Sequence, residues 1–333
     1  MKKIISIILL CMCLLLSGCG KSAPAESIKQ SRVIFYFDTV VTITAYTEHD
    51  TVMDELEAEC RRYENLLSKT VEGSDVWNIN HANGERVAVS EETRDLILKA
   101  LEFSRISDGR FDISIEPCVA LWDFTGEGMG KLPDADELAA AAAKVDWTKI
   151  DVNDEGVMIP EGMSIDLGAI AKGYISDRIA DFLMENGVES ALLNVGGNVR
   201  TVGVKPDGSN WRIGIQDPAG VRDQSIVGAV SLDKNAVVTS GIYERGFTLD
   251  GTVYHHILDP KTGWSVQNEL AGISIVTNDA CTADALSTTV FTMGLEEGTA
   301  FIENLDGVDA IFVTRDGDIS WTSGLDDSFT PTR

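Results

Sequence analysis

Basic residues are scarce in this chain. Its 333 residues hold 27 Lys and Arg against 53 Asp and Glu, a formal charge of −26. Binding to nucleic acid draws on Lys and Arg that displace counterions from phosphates, so the acidic excess excludes that partner. It also excludes purely electrostatic docking on an anionic bilayer, which needs a polybasic patch. A local basic pocket for a phosphate ligand stays open. Cysteine is sparse, and Cys11, Cys13, Cys19, Cys60, Cys118 and Cys281 include no CxxC pair and no zinc spacing. No apolar run reaches the roughly 20 residues of a membrane-spanning helix. No GxGxxG follows a strand, and Walker loop, GxSxG and HExxH are all missing, as is any internal repeat. What is present is ordinary for a globular protein: 44% hydrophobic and 24% charged residues, in a length that suits one large domain or two smaller ones.

The N-terminus reads as a targeting segment. Lys2 and Lys3 precede the apolar run Ile4 to Leu16, which exits through Leu16-Ser17-Gly18-Cys19. A charged start, a short apolar stretch and a small-residue exit describe a secretory signal. The exit also resembles a bacterial lipobox, in which the cysteine is lipidated and becomes the first mature residue. The expected organisation is a signal over residues 1–18, a polar tether over 19–31 with lipid on Cys19, and a folded region over 32–333. Lipid chains on Cys19 would anchor the protein to the outer face of the cytoplasmic membrane. Cys60, Cys118 and Cys281 then remain as core or adventitious thiols, an odd set that does not suggest a disulfide framework.

Val33 to Tyr46 is rich in β-branched and aromatic residues and predicts a strand or hairpin. Helical spacing predicts helices over Asp50–Leu67, Glu91–Ile106 with Ser90 as cap, Asp134–Val145, Gly168–Asn186 ending at Gly187, and Thr282–Met293. Short strands are expected at Ser190–Val195, Trp211–Gln216, Val227–Leu232, Ala236–Thr239, Phe247–Leu249, Tyr254–Leu258, Gly272–Val276 and Ala310–Thr314. Helices early and strands late indicate a mixed α+β fold, mainly antiparallel sheets with packed helices, rather than a regular βαβ wheel.

Four segments could carry chemistry. In Ser164 to Tyr174 (SIDLGAIAKGY), Asp166 stands at the mouth of a helix, where its plain role is to accept free amides. Gly168, Ala169 and Gly173 keep that helix thin, and Lys172 lies close enough to share a ligand with Asp166. In Thr282 to Thr289, Asp284 and Thr288 are one turn apart and share a helix face, a hard-oxygen pair suited to Mg²⁺. The plain alternative is a buried Thr bonding back to a carbonyl. In Tyr254 to Gly263 (YHHILDPKTG), alternation turns His255 and His256 to opposite faces, which argues against a shared metal and leaves one of them for a pocket. Asp259 to Gly263 reads as a turn. The fourth, Asn194 to Asn198 (NVGGN), allows a tight turn or a close approach to phosphate.

In this order, with Phe37-Asp38-Thr39-Val40, Asp108 to Ser114 and Thr239 to Tyr243 (TSGIY), these segments closely resemble the FAD:protein FMN transferase (ApbE) family. The resemblance runs from about residue 33 to the C-terminus and implies an ApbE-like core related to the T-fold. It implies that Asp166 and Lys172 contact FAD, and that Arg110, Phe111, Asp112 and Leu258 do as well. It adds Phe37, where the family usually has Met beside a Gly at the position of Asp38, and Thr70. It implies Mg²⁺, or Mn²⁺, held by the Ala169 carbonyl, Asp284 and Thr288, with Ser287 at a further ligand position.

The activity implied is transfer of FMN from FAD to a Thr or Ser hydroxyl of a partner protein, with release of AMP. His256 is the candidate base, preferred over His255, and Asp284 the catalytic metal ligand. The acceptors implied are exported flavoprotein subunits of Nqr-type or Rnf-type redox complexes. Water in place of the hydroxyl would make the protein an FAD pyrophosphatase, and a lipid-anchored flavin- or solute-binding protein would need no metal pair at all.

Overall fold

A computed structural model describes residues 28–49, 51–126, 128–221, 224–232 and 236–332. Cys19 and the signal segment lie outside the described residues. The chain opens with a hairpin of β1 (Ile28–Tyr36) and β2 (Thr39–Thr47), followed by helices α1 (Val52–Leu67), α2 (Asp75–Asn80), α3 (Glu91–Ile106), α4 (Glu116–Val119) and α5 (Ala135–Ala142). A small hairpin, β3 (Asp151–Asn153) and β4 (Gly156–Met158), leads to α6 (Ala171–Glu185). Then come β5 (Ser190–Val195), β6 (Asn198–Val202), β7 (Arg212–Gln216), β8 (Ile226–Ser231), β9 (Ala236–Gly241), β10 (Gly246–Leu249), β11 (Thr252–His255) and β12 (Leu270–Thr277). The chain closes with α7 (Ala280–Met293), α8 (Leu295–Ile302), β13 (Asp309–Thr314), β14 (Ile319–Trp321) and β15 (Phe329–Pro331).

The main sheet has eight strands in the order β1-β2-β5-β6-β9-β12-β13-β14, and every neighbouring pair is antiparallel. Successive side chains of a strand point to opposite faces, and this sheet is covered on both. Ile43, Leu193, Val238, Ile273, Ile275 and Phe312 face the large core built with α1, α3, α6 and α7. Their neighbours Val237, Val276, Ile311 and Val313 face a second core under the three-stranded sheet β15-β8-β7, against Trp211, Val230 and Phe329. Double coverage explains why β12 is buried at every position. A third, smaller cluster joins Cys118, Trp122, Leu138, Phe247 and Leu258. Cys60, Cys118 and Cys281 are free and buried, as expected of core thiols.

The α+β expectation holds, with local differences. β1 begins at Ile28, inside the stretch read as tether, because residues from Ile28 on already pair with β2. Helix α6 starts at Ala171 rather than Gly168, since Gly168 to Ile170 form a turn and Ile170 has non-helical φ −143°. Gly187 ends it in the left-handed region, φ +76°. The strand expected over Tyr254–Leu258 stops at His255, beyond which only Leu258 makes an isolated bridge, to Ser265. The β1–β2 turn holds Phe37 and Asp38 at φ +58° and +56°, the left-handed pair of a tight hairpin that glycine or asparagine usually fills.

Candidate active site

The site is built where α6 and α7 meet. Gly173 makes the approach possible: a Cβ there would lie 2.1 Å from the Ala280 carbonyl oxygen and 2.7 Å from Asp284 Cβ. With the helices this close, the Gly173 amide donates to Asp284 Oδ2 at 2.9 Å. In a regular helix that amide would go to the carbonyl four residues back, Ala169. No described residue donates to that carbonyl, so it is left free beside a carboxylate.

Asp284 is nearly buried, and its second oxygen accepts from Asn198 Nδ2 at 2.9 Å. Lys172 Nζ lies 3.5 Å from the same oxygen and donates to the Gly168 carbonyl at 2.8 Å. Buried polar atoms need hydrogen-bond partners, and both oxygens have them. Thr288, one turn on, has a half-buried hydroxyl with no partner among the described residues, whereas Thr289 and Thr292 of the same helix bond back to carbonyls. One carboxylate, one free hydroxyl and one free carbonyl form a hard-oxygen donor set of the kind Mg²⁺ or Mn²⁺ takes, with remaining positions for water or phosphate oxygens. The residues fit the metal the sequence implied. Among the described residues no three His, Cys, Asp or Glu side chains gather into a metal-binding group.

Ser287 requires a correction. Its hydroxyl is fully buried, donates to the Asp284 carbonyl at 2.8 Å and lies 2.8 Å from the Ser240 hydroxyl of β9. It faces the sheet, not Thr288, because adjacent residues of a helix project about 100° apart. Its role is to lock α7 onto β9.

Asp166 lies at the other end of the turn. Its Oδ1 accepts the Gly168 amide at 2.7 Å, and its Oδ2 accepts from Lys69 Nζ at 2.9 Å. Lys69 also binds Glu116. Burial works against the Lys69 charge, but Asp166 and Glu116 outweigh it and hold its pKa above that of an ordinary lysine. Burial first, and the Asp166 charge second, push Glu116 upward.

The two histidines separate as alternation predicts. His255 is wholly buried edge-on against Phe291, and its Nε2 lies 2.9 Å from the Val266 carbonyl, which it serves as donor. Its Nδ1 is a buried atom without a partner, and burial lowers its pKa to about 4. His256 leaves the strand and is half-buried, its amide donating to the Arg245 carbonyl at 3.2 Å. Its Nδ1 lies 3.4 Å from that carbonyl, an arrangement that favours a proton on Nδ1 and a lone pair on Nε2. Burial, then His255, Lys172 and Arg245, push its pKa down to about 3. Arg245 also donates to the Asp38 carbonyl and carboxylate, both at 3.0 Å, which ties the hairpin tip to the histidine segment.

The ApbE family model matches residues 37–312, a span that contains all of these groups. The chain belongs to the ApbE family. A relative from Klebsiella pneumoniae named FAD:protein FMN transferase is 37% identical over 295 residues, covering 87% of this chain and 91% of the relative. One of the same name from Treponema pallidum is 31% identical and covers 96% and 93%. Among solved structures, an ApbE protein from Thermotoga maritima superposes with a TM-score of 0.82 at 33% identity, covering 89% and 98%. The apo flavinyl transferase ApbE of Pseudomonas stutzeri gives 0.81 at 30%, covering 92% and 98%.

Against this ApbE frame the remaining expected contacts divide. Phe37 packs partly against the core, and its amide donates to Glu64 Oε1 at 2.9 Å. Thr70 is exposed next to Lys69, its hydroxyl 3.1 Å from that of Ser68. Phe111 is buried against Phe103, and both Asp112 oxygens are occupied by Ser114 and by the Trp147 amide. Leu258 is buried in the third cluster. The side chains of Phe111, Asp112 and Leu258 are thus committed to the fold. Arg110 turns toward the far end of α7, to the Thr292 carbonyl at 3.3 Å and Glu297 at 3.0 Å, which takes its guanidinium away from Asp284. Sequence reasoning missed Asn198 and Gly173 as seats for Asp284, and Lys69, held from its other side by Glu116, as the partner of Asp166. Asn198 was visible in the Gly-Gly-Asn turn, but no spacing signal linked Lys69 to a residue 97 positions away.

Proposed function

We propose that the protein transfers FMN from FAD to a Thr or Ser hydroxyl of an exported acceptor protein through a phosphoester bond, releasing AMP. The observation that carries this reading is the α6–α7 junction, where the Asp284 carboxylate, held by Gly173 and Asn198 beside Lys172, shares its surroundings with a Thr288 hydroxyl and an Ala169 carbonyl that have no partner among the described residues. A divalent cation held there by Asp284, Thr288 and the Ala169 carbonyl would neutralise the FAD diphosphate and the charge on the departing phosphate. The names of the relatives support the same substrate and product.

The acceptor oxygen attacks the FMN-side phosphorus as its bond to the AMP phosphate oxygen breaks, and the hydroxyl proton must go to a base. His256 is neutral at physiological pH with Nε2 unprotonated, so it can accept that proton, although its low basicity makes it a weak base before ligands bind. Lys172 and Asp166 bind and orient the nucleotide. The lipobox resemblance supports a protein lipidated at Cys19 and held on the outer face of the cytoplasmic membrane. Exported flavoprotein subunits of Nqr-type or Rnf-type complexes suit that location as acceptors.

Incubation with FAD and Mg²⁺, with and without an acceptor, tests the reading. AMP release that depends on acceptor, together with flavin covalently attached to it, is the expected result. Rapid AMP release without acceptor would identify an FAD pyrophosphatase instead, and intact FAD in both arms would identify a binding protein.

A further inference from the structure

Lys69 and Glu116 take no part in the reaction just described, yet both are rigidly placed at its edge. Lys69 directly follows Ser68, the residue that ends α1, and the Ser68 hydroxyl accepts the Thr70 and Val71 amides at 3.2 and 3.3 Å. Glu116 is the first residue of α4 and is stiffened by Pro117. The ammonium sits between two carboxylates, and the side chains of Lys69, Glu116 and Asp166 are only 26%, 16% and 22% exposed. From there charges alternate along the turn: Glu116, Lys69, Asp166, then Lys172 through the Gly168 peptide, then Asp284. An exposed ion pair contributes little, but removing one partner of a shielded group leaves uncompensated charge behind. Without Lys69, two carboxylates would face each other and Asp166 would lose the bond that aims it.

We infer that Lys69 is a positioning residue for FAD, with Glu116 as its counter-charge. It fixes the Asp166 carboxylate and, through the Gly168 amide, the turn that presents the Ala169 carbonyl. This rests on the proposed function, in which Asp166 contacts FAD.

The test compares wild type, Lys69→Met, Lys69→Arg, Glu116→Gln and Lys69→Met/Glu116→Gln. It reads FAD affinity by flavin fluorescence, KM for FAD, kcat and Tm. Lys69→Met should weaken FAD binding about 10- to 100-fold, with KM rising more than kcat falls. Lys69→Arg should stay within about threefold of wild type, because it keeps the charge. The double variant should regain a large part of the loss, because it removes the carboxylate left without a partner. A purely structural role predicts the opposite pattern: a lower Tm in the double variant as in the single, with no recovery of affinity. That pattern, or unchanged FAD binding in Lys69→Met, overturns the inference. If Lys69→Met does not fold, Lys69→Arg and Glu116→Gln decide: wild-type affinity in the first with a loss of about threefold or more in the second supports it, and unchanged affinity in both overturns it. A wild-type protein that neither binds FAD nor releases AMP overturns the proposed function itself, which separates the two failures.

Discussion

Replacing Gly173 by Ala tests the close approach of α6 to α7. Alanine is the better helix former, and at an exposed helical position the change stabilises by about 1 kcal/mol. Here the new Cβ would stand 2.1 Å from the Ala280 carbonyl oxygen and 2.7 Å from Asp284 Cβ. Ordinary contact begins near 3.4 Å, so α6 and α7 must part by about 1.3 Å or α6 must rotate. The obstacle is backbone, which cannot swing aside as a long side chain can. Overpacking of this kind costs about 1–3 kcal/mol, and here it also strains the Gly173–Asp284 hydrogen bond. The packing penalty therefore exceeds the propensity gain, and the variant should melt about 2–6 °C lower. A shift of about 1 Å in Asp284 relative to the Ala169 carbonyl should cut turnover about 10²-fold. Calorimetry and AMP release measure both. A higher Tm with activity within twofold of wild type would show that the helices are not in contact at this point and refute the geometry of the site.

Other expectations follow from the same contacts. Asp284→Ala removes the only carboxylate of the donor set and should lower FMN transfer at least about 10²-fold. It also leaves the Gly173 amide and Asn198 without their acceptor, a loss of about 1–3 kcal/mol seen in denaturant titration; full activity with unchanged Mg²⁺ dependence would remove α7 from the mechanism. Because the His256 pKa is lowered to about 3, its neutral form persists as pH falls, so the acid limb of the transfer rate should lie well below 6.5. His256→Gln should cost about 10² to 10⁴ in rate, and a loss below tenfold would leave the metal as activator. His255, with pKa about 4 folded and near 6.5 unfolded, makes the unfolded chain bind more protons between those values. Stability should therefore decline as pH drops from 6.5 to 4, by up to about 3 kcal/mol, and a His255→Gln variant whose pH slope matches wild type would contradict this. Cys19→Ser should abolish palmitate incorporation in labelled cells; retained label would end the lipobox reading.

How far the fold can be read from sequence depends on whether a segment's signal is local. Helix α1 shows its buried stripe at Val52, Leu56, Cys60, Tyr63 and Leu67, and α3 carries its own cap at Ser90, so both are legible at once. Helix α7 also appears as a helix, but its burial on nearly every side is set by the sheet and α6, which no periodicity reports. Short elements such as α2, β6 and β14, only three to six residues long, escape because so few residues carry too little periodicity to read. The start of α6 moved because Asp166 holds the Gly168 amide, the Gly173 amide is drawn to Asp284, and Ile170 breaks the helical φ, so the helix begins only at Ala171.

The same distinction explains the site. Spacing alone put Asp284 and Thr288 on one helix face and separated His255 from His256. It could not tell which neighbour of Asp284 faces the cleft, and the adjacent Ser287 proved to bind Ser240 in the sheet. Residues that define ligand chemistry tend to recur in motifs, whereas residues that hold them in place are chosen by three-dimensional proximity. Asn198, Lys69 and Glu116 belong to the second kind. Asn198 pairs with Asp284 and Lys69 with Asp166, Glu116 holds Lys69 from its other side, and each pairing converts a flexible side chain into one with a fixed direction. A carboxylate that must bind a metal or a nucleotide in one orientation needs such partners, because free rotation would spread its charge over positions where it does no chemistry. The Ala169 carbonyl and Thr288 hydroxyl, unpaired among the described residues, gain their meaning from this contrast: where neighbouring polar groups are tightly bonded, these two are the ones a ligand could reach.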